Sequence, residues 1–360
     1  MRSETREMLV IQLGVGQIGA AVMATVLRME PVWRARYGLA MRYHALADSS
    51  GFAQYASASE AHGRRLVSLP SAIPASNWRV VLEQAIRAVG EPERVVVVDC
   101  AVGGGTTALL LAARAAGAHV VLCNKDPLTG PYEQFQALQG ESGRGSLHLS
   151  ATVGAGLPIT SAVAAAIASG DVIEQAQAVA SGSLGYLCVR MAAGAAFPEA
   201  LQGAIAEGYC EPDPRHDLSG HDVARKLLIL ARLSGRHAEL GDIAVESLIP
   251  PGAERLTRAE FLATLPAWHD FLADRFSAAR AAGQTLRYVG TLDAEGAISA
   301  GLRPVSRDDL LARGSGPENV FVLRTARYQR YPLVISGPGA GVAVTSGAVI
   351  TDILRAAGVL

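Results

Sequence analysis

The sequence predicts an α/β chain: a Rossmann-type, doubly wound parallel sheet with a second α+β domain. Three observations predict it. Over the first 150 residues or so, short apolar runs alternate with segments of helical period, the pattern of βαβ units. A glycine-rich loop lies directly between the first run and the first helical segment. After about residue 145 the alternation stops, and strand-like segments follow one another without long helices between them.

Taken in order, residues 8–14 (MLVIQLG) form an apolar run closed by glycine, a buried strand. Residues 17–29 carry apolar positions at helical spacing, and 42–48 (RYHALAD) reads as a second strand. The run 94–100 (RVVVVDC) is continuous and β-branched, as central parallel strands are. A helix at about 106–116 and a strand at 119–123 follow. Segment 151–169 reads as a strand, a turn through Gly154, Gly156 and Pro158, and a buried helix. Strands are expected at 172–181 and 184–190, helices near 198–207 and 221–235, and one long helix over 257–283. Strands at 286–292, 296–303, 319–325 and 331–336 precede a Gly-rich turn and an apolar helix, 343–357. The expected domains are 1–150 for a dinucleotide, 151–335 for substrate and dimer contacts, and 336–360 returning to the first.

The 360 residues hold 32 Lys+Arg against 33 Asp+Glu, a formal charge of −1, which argues against a nucleic-acid footprint or a polybasic membrane surface. Half the residues are apolar and 18% are charged, enough to build a large core. Cys100, Cys123, Cys188 and Cys210 form no CxxC, so they read as reduced, mostly buried thiols in a cytoplasmic protein. Met1–Glu7 is charged and runs into a strand, so no secretory leader is expected. No stretch reaches the ~18–20 apolar residues that span a bilayer.

Gly14-Val15-Gly16-Gln17-Ile18-Gly19 fits GxGxxG between a strand and a helix. Gly14 suits the tight turn, Gly16 lets backbone approach a pyrophosphate, and Gly19 lets the helix sit close to the strand. The phosphates then meet the positive helix end. The acid ending the second strand is Asp48, further from the glycines than the usual ~20 residues. It is either a ribose ligand or a turn former. Ser49 and Ser50, with Arg64 or Arg65, offer an alternative contact for a 2′-phosphate, so NAD and NADP both stay open.

Residues 211–226 read EPDPRHDLSGHDVARK. Pro212 and Pro214 hold the first part extended, and Ser219 or Gly220 starts a helix whose apolar face is Val223, Leu227 and Leu230. Asp222 and Lys226 lie four apart on one helix face, where an ordinary surface ion pair is the plain reading. The neighbouring Glu211, Asp213 and Asp217, with Arg225 beside Lys226, point instead to an amino-acid substrate with an ammonium group and a polarisable oxygen.

The segment EPDPRHDLSGHDVARKLLILAR resembles the substrate signature of homoserine dehydrogenases. GVGQIG, VVVVDC, HVVLCNKDPLTG, ATVGAGLP and GPGAGVAVTSGAVITDIL match the same family in order, over essentially the whole chain. The resemblance implies an NAD(P)-dependent oxidoreductase interconverting L-homoserine and L-aspartate 4-semialdehyde, in threonine, methionine and isoleucine biosynthesis. It implies a homodimer of the short form, without a regulatory domain or a kinase fusion. Lys226 matches the catalytic lysine, Lys125 a lysine where cofactor and substrate meet, and Glu211, Asp222 and Asp217 the substrate acids. Gly182-Ser183 stands where the family has Gly-Thr, and Gly339 and Gly341 match a turn at the nicotinamide end. Ala101 replaces a Thr or Ser whose hydroxyl meets the nicotinamide amide, so that contact is either lost or made by backbone. The family's monovalent-cation site, such as sodium, would use the carbonyls of Val153, Ala155 and Leu157; Ser150 replaces its usual Glu. The competing readings are a dehydrogenase of another amino-acid aldehyde and a dinucleotide-binding protein without turnover.

None of the eight histidines (His44, His62, His119, His148, His216, His221, His237 and His269) forms HExxH or a His-Cys cluster, so metal ligation by them is not expected. Trp33, Trp78 and Trp268 are too dispersed for a base-stacking platform.

Overall fold

The computed structural model describes residues 5–49, 51–54, 78–140, 145–314 and 316–360. The chain divides into two compact units: Met1–Gly156 with Ala340–Leu360, and Leu157–Gly339.

The first unit runs β1 (Arg6–Leu13), α1 (Gln17–Tyr37), β2 (Leu39–Asp48), β3 (Gly51–Gln54), α2 (Trp78–Val89), β4 (Val95–Asp99), α3 (Thr107–Ala115), β5 (His119–Leu122), α4 (Asp126–Thr129), α5 (Tyr132–Gln139) and β6 (Leu147–His148). The sheet order is β3-β2-β1-β4-β5-β6. Five strands are parallel, and β3 adds an antiparallel edge to β2. Every residue of β4 (VVVVD) is buried, as in a strand covered on both faces. Strand order reverses around β1 and β4, where open α/β sheets bind ligands at the carboxyl ends of their strands. Helix α1 is 21 residues long and ends at Gly38, whose left-handed φ of 61° returns the chain straight into β2. That length, with almost no loop, explains why Asp48 lies so far from the glycines.

The C-terminal helix, Val342–Ala356, belongs to this unit. Its Val349, Ile350 and Ile353 pack in one core with Val22 and Val26 of α1 and Val10 of β1. Asp352 is fully buried and accepts the Ser150 amide and hydroxyl, each at 2.7 Å. The segment entering at Ser150 is a 3-10 turn over Ser150–Thr152, not the strand expected from its apolar run.

The second unit comprises α6 (Ile159–Ala168), β7 (Ile173–Val179), α7 (Gly182–Ala192), α8 (Phe197–Ala206), α9 (Arg215–Leu218), α10 (His221–Leu233), β8 (Ala244–Val245), α11 (Arg258–Thr264), α12 (Ala273–Ala281) and β9 (Gln284–Leu292), then β10 (Ile298–Ser306), β11 (Glu318–Thr325) and β12 (Leu333–Pro338). Its sheet, β12-β11-β7-β9-β10-β8, is antiparallel except where β8 joins β10. Helix α10 lies on β9, with Val223 and Leu227 against Gly290, where any side chain would collide with both.

Three further expected elements differ. Residues 184–190 belong to helix α7, not to a strand: Ser181 accepts the Leu184 amide at 3.2 Å and starts a helix. The helix expected over 257–283 is broken by a 3-10 turn at Leu265–Trp268 containing Pro266, and by Leu272 at φ 65°. Helix α6 exposes about half its residues rather than being buried all round.

Candidate functional site

In the first unit the glycine loop is fixed by its neighbours. Gly14 has φ 88°, and a Cβ there would run into the backbone of Cys100 and Ala101. A Cβ on Gly19 would strike the Gly14 carbonyl and the Gln12 amide. Gly16 caps α1 without a side-chain bond and has open space around its missing Cβ. The amides that start a helix are therefore uncapped by any side chain beside room for a ligand, which fits a pyrophosphate. Val15 and Ile18 are half-buried, and Gln17 is exposed. Gln12 is a residue the sequence reading missed. It is fully buried and donates to the carbonyls of Gly14 and Gly19, both at 3.0 Å, while accepting from Tyr43 at 2.8 Å. A glutamine inside an otherwise apolar strand was its only sequence signal.

Asp48 is half-buried at the end of β2 and Ser49 is exposed. Ser50, Arg64, Arg65 and His62 lie outside the described residues. Ala101 donates its amide to Asp99 at 2.9 Å, so that N–H is already engaged. Asp99 also accepts from Thr106 at 2.6 Å and Asn124 at 3.2 Å, and Asn124 donates to the Gly103 carbonyl at 2.8 Å. Burial pushes the Asp99 carboxyl up despite these bonds. The cluster ties the loops after β4 and β5 together and sets the backbone at Lys125, which is half-buried just before α4. A hydrogen bond with Cys100 lowers the Cys123 thiol against the effect of burial, and the Lys125 charge lowers it further.

All four cysteines are free thiols, with Cys188 buried and the other three half-buried rather than mostly buried. Burial pushes Cys188 and Cys210 up to about 12, so both are protonated at neutral pH.

Val153 and Ala155 are buried around the left-handed pair Gly154 (φ 73°) and Ala155 (φ 55°). The Leu157 carbonyl accepts the Ile159 amide at 2.8 Å. These are neutral donors, and the Asp352 carboxylate held by Ser150 is already paired with Arg355 at 3.0 Å. The set does not favour a cation. No group of three His, Cys, Asp or Glu suited to a metal occurs among the described residues.

In the second unit, Gly220 (φ 74°) starts α10 at a point where a Cβ would collide with the Tyr288 hydroxyl. This fixes the phase of the helix, and with it Asp222 and Lys226. Lys226 is buried, with its ammonium 2.7 Å from the Asp222 carboxylate and donating to the Ala180 carbonyl at 2.6 Å. Its third N–H has no partner among the described residues. The surface-pair reading fails for Lys226, since only Asp222 is exposed.

Asp217 accepts the Ser183 hydroxyl and the Glu211 amide, each at 2.8 Å. Burial raises its carboxyl, helped by the charges of Glu211 and Asp222 and opposed by those two bonds. Ser183 is buried in the first turn of α7, next to Gly182, whose Cβ would press on the Pro317 carbonyl. Glu211, Asp217, Asp222, Ser183 and Lys226 thus gather around the exit of β7. Asp213 does not join them: Arg215 binds it at 2.6 Å and anchors the loop to the Ala253 carbonyl. His216 and His221 are exposed. The Ala180 carbonyl had no sequence signal, because backbone acceptors leave none.

Gly339 follows β12, and a Cβ there would overlap the Asn319 side chain. Asn319 is buried with neither amide atom hydrogen-bonded, another residue the sequence reading did not single out. Gly341 (φ 122°) caps the C-terminal helix.

Comparison with known proteins agrees with both halves. Residues 158–354 match the family described as homoserine dehydrogenase, and residues 14–148 match its NAD binding domain. A chloroplastic bifunctional aspartokinase/homoserine dehydrogenase 2 from Zea mays is 41% identical over 74% of this chain and 29% of its own. A homoserine dehydrogenase from Paracoccidioides brasiliensis is 36% identical over 66% of this chain and 68% of its own. The chain spans between 29% and 42% of the length of the bifunctional relatives. A Candida auris protein of unknown function superposes with TM-score 0.87 at 29% identity, covering 98% of each chain. A hyperthermophilic archaeal homoserine dehydrogenase in complex with NADPH shares the fold, with TM-score 0.71 at 21% identity, over 98% of each chain. The chain belongs to the homoserine dehydrogenase family.

Proposed function

We propose that the protein interconverts L-homoserine and L-aspartate 4-semialdehyde with NAD or NADP. The observation that carries this reading is Lys226: a buried ammonium with two N–H donors committed to Asp222 and Ala180 and a third without a partner among the described residues. Gly14, Gly16 and Gly19, with Val15, Gln17 and Ile18, would hold the pyrophosphate, and Asp48 the ribose. Ala101, Lys125 and Gly341 would serve the nicotinamide end. The bound cofactor in its reduced form supplies a hydride to the aldehyde carbon.

The residues then divide the remaining work. Glu211 and Asp222 would take the substrate ammonium, with Asp217 and Ser183 fixing the floor and Gly182 giving close approach. Lys226 donates a proton to the aldehyde oxygen as negative charge develops there, and the hydroxyl results. In the oxidative direction it accepts that proton. Asp222 keeps the lysine oriented. The reading includes a cytoplasmic homodimer built through the second unit, supported by the four free thiols and by exposed Tyr328, Tyr331 and Val334 at and just before β12.

The test is Lys226→Ala. Turnover is expected to fall by ~10²–10⁴-fold, while NADPH binding, followed by fluorescence, stays within a factor of two or so. Unchanged turnover removes Lys226 from the chemistry.

A further inference from the structure

A cavity of about 290 Å³ opens in the second unit where α7, α12 and β9 meet, lined by Arg280, Arg287 and Arg307. No acidic side chain lines it, and none of the three arginines has an ion-pair partner among the described residues. Arg287 is buried. Its guanidinium donates to the Thr285 hydroxyl at 2.9 Å, the Leu286 carbonyl at 3.0 Å and the Ala312 carbonyl at 3.1 Å, leaving two of its five donors without a partner among the described residues. Arg280 and Arg307 are exposed at the cavity wall. A guanidinium taken out of water without a counter-charge is costly. Burial accordingly pulls Arg287 down from its ordinary value. Phe276 and Leu286 supply an apolar wall, and Gln284 a neutral polar one.

From this arrangement we infer a binding site for a small oxyanion with a short carbon skeleton, of the phosphate or carboxylate class. Guanidinium forks match both groups in bidentate geometry. The volume sits at the lower end of the ~300–1,000 Å³ usual for ligand sites. The ligand is not the substrate of the reaction proposed above. Ala192, the last residue of α7, lines the cavity, whereas Ser183 stands in its first turn, ~14 Å away along the helix. The inference stands on these residues alone and does not depend on which aldehyde is reduced.

The test uses the full chain saturated with NADPH, so that the dinucleotide's own phosphate contacts are filled. Inorganic phosphate and succinate are titrated by calorimetry against sodium chloride at matched ionic strength. At least one is expected to bind with a dissociation constant below ~1 mM, and which of them binds tighter identifies the anion class. In Arg280→Ala/Arg307→Ala, whose altered side chains are exposed, that affinity is expected to fall at least tenfold. Turnover in anion-free buffer should be unchanged. Heat from neither anion beyond that of chloride overturns the inference. So does undiminished binding in the double variant, which would place the anion elsewhere.

Discussion

Asp217 is the side chain through which pH should act on the candidate site. Burial holds its carboxyl above the ordinary value near ~3.9. A carboxyl raised in the folded state binds its proton more tightly there than in the unfolded chain. Its stabilising contribution is therefore full below ~3.9 and is lost as pH rises through the raised folded value. Neutral pH thus carries a cost in stability, and what the protein gains is a charged acid against Ser183 and Glu211. The same group gives a kinetic expectation. The acid limb of kcat/KM for the amino-acid substrate should lie above the ordinary carboxylate range, and Asp217→Asn should abolish that limb while lowering kcat/KM. A limb left unchanged in the variant would show that another group titrates. Lys226 and Asp222 were legible from their spacing of four, and the surrounding acids signalled a site. The acceptors that complete the site were not. Ala180 acts through its carbonyl, and Gln12 reads as one polar residue in an apolar strand.

At the scale of elements, the contact between β1 and α1 decides whether a dinucleotide can be held. Gly19 has no room for a methyl group between the Gly14 carbonyl and Gln12. Gly19→Ala is therefore expected to push α1 away from β1, costing ~1–3 kcal/mol in a denaturant titration. NADPH affinity should fall at least tenfold. Full affinity in the folded variant would mean that the loop does not carry the phosphates. This strand-turn-helix was readable because backbone sterics demand glycine at Gly14 and Gly19, with Gly16 leaving open space between them at the helix start. The second unit was harder. Residues 184–190 are a short run rich in apolar side chains, where helix and strand share the same composition. The deciding signal was the Ser181 cap, one hydroxyl just ahead of the run. In 257–283 the helical period persists through a segment that Pro266 and the left-handed Leu272 break. The antiparallel β3 was not anticipated either, since four residues carry little periodicity.

At the scale of the whole molecule, the C-terminal helix makes the first unit from two stretches of chain, closed by Ser150 and Asp352 across 202 positions. Its return was legible as an apolar helix after a glycine turn, because a helix so apolar must find a core. The family assignment rests on both units, and the reaction proposed here needs the function of both. The most direct measurement follows reduced-nicotinamide absorbance with the purified chain and L-aspartate 4-semialdehyde, with NADH and NADPH in parallel. The account predicts rapid oxidation with at least one cofactor, dependent on the aldehyde, and the ratio between the two fixes the role of Asp48. Cofactor binding without any aldehyde-dependent oxidation would contradict it.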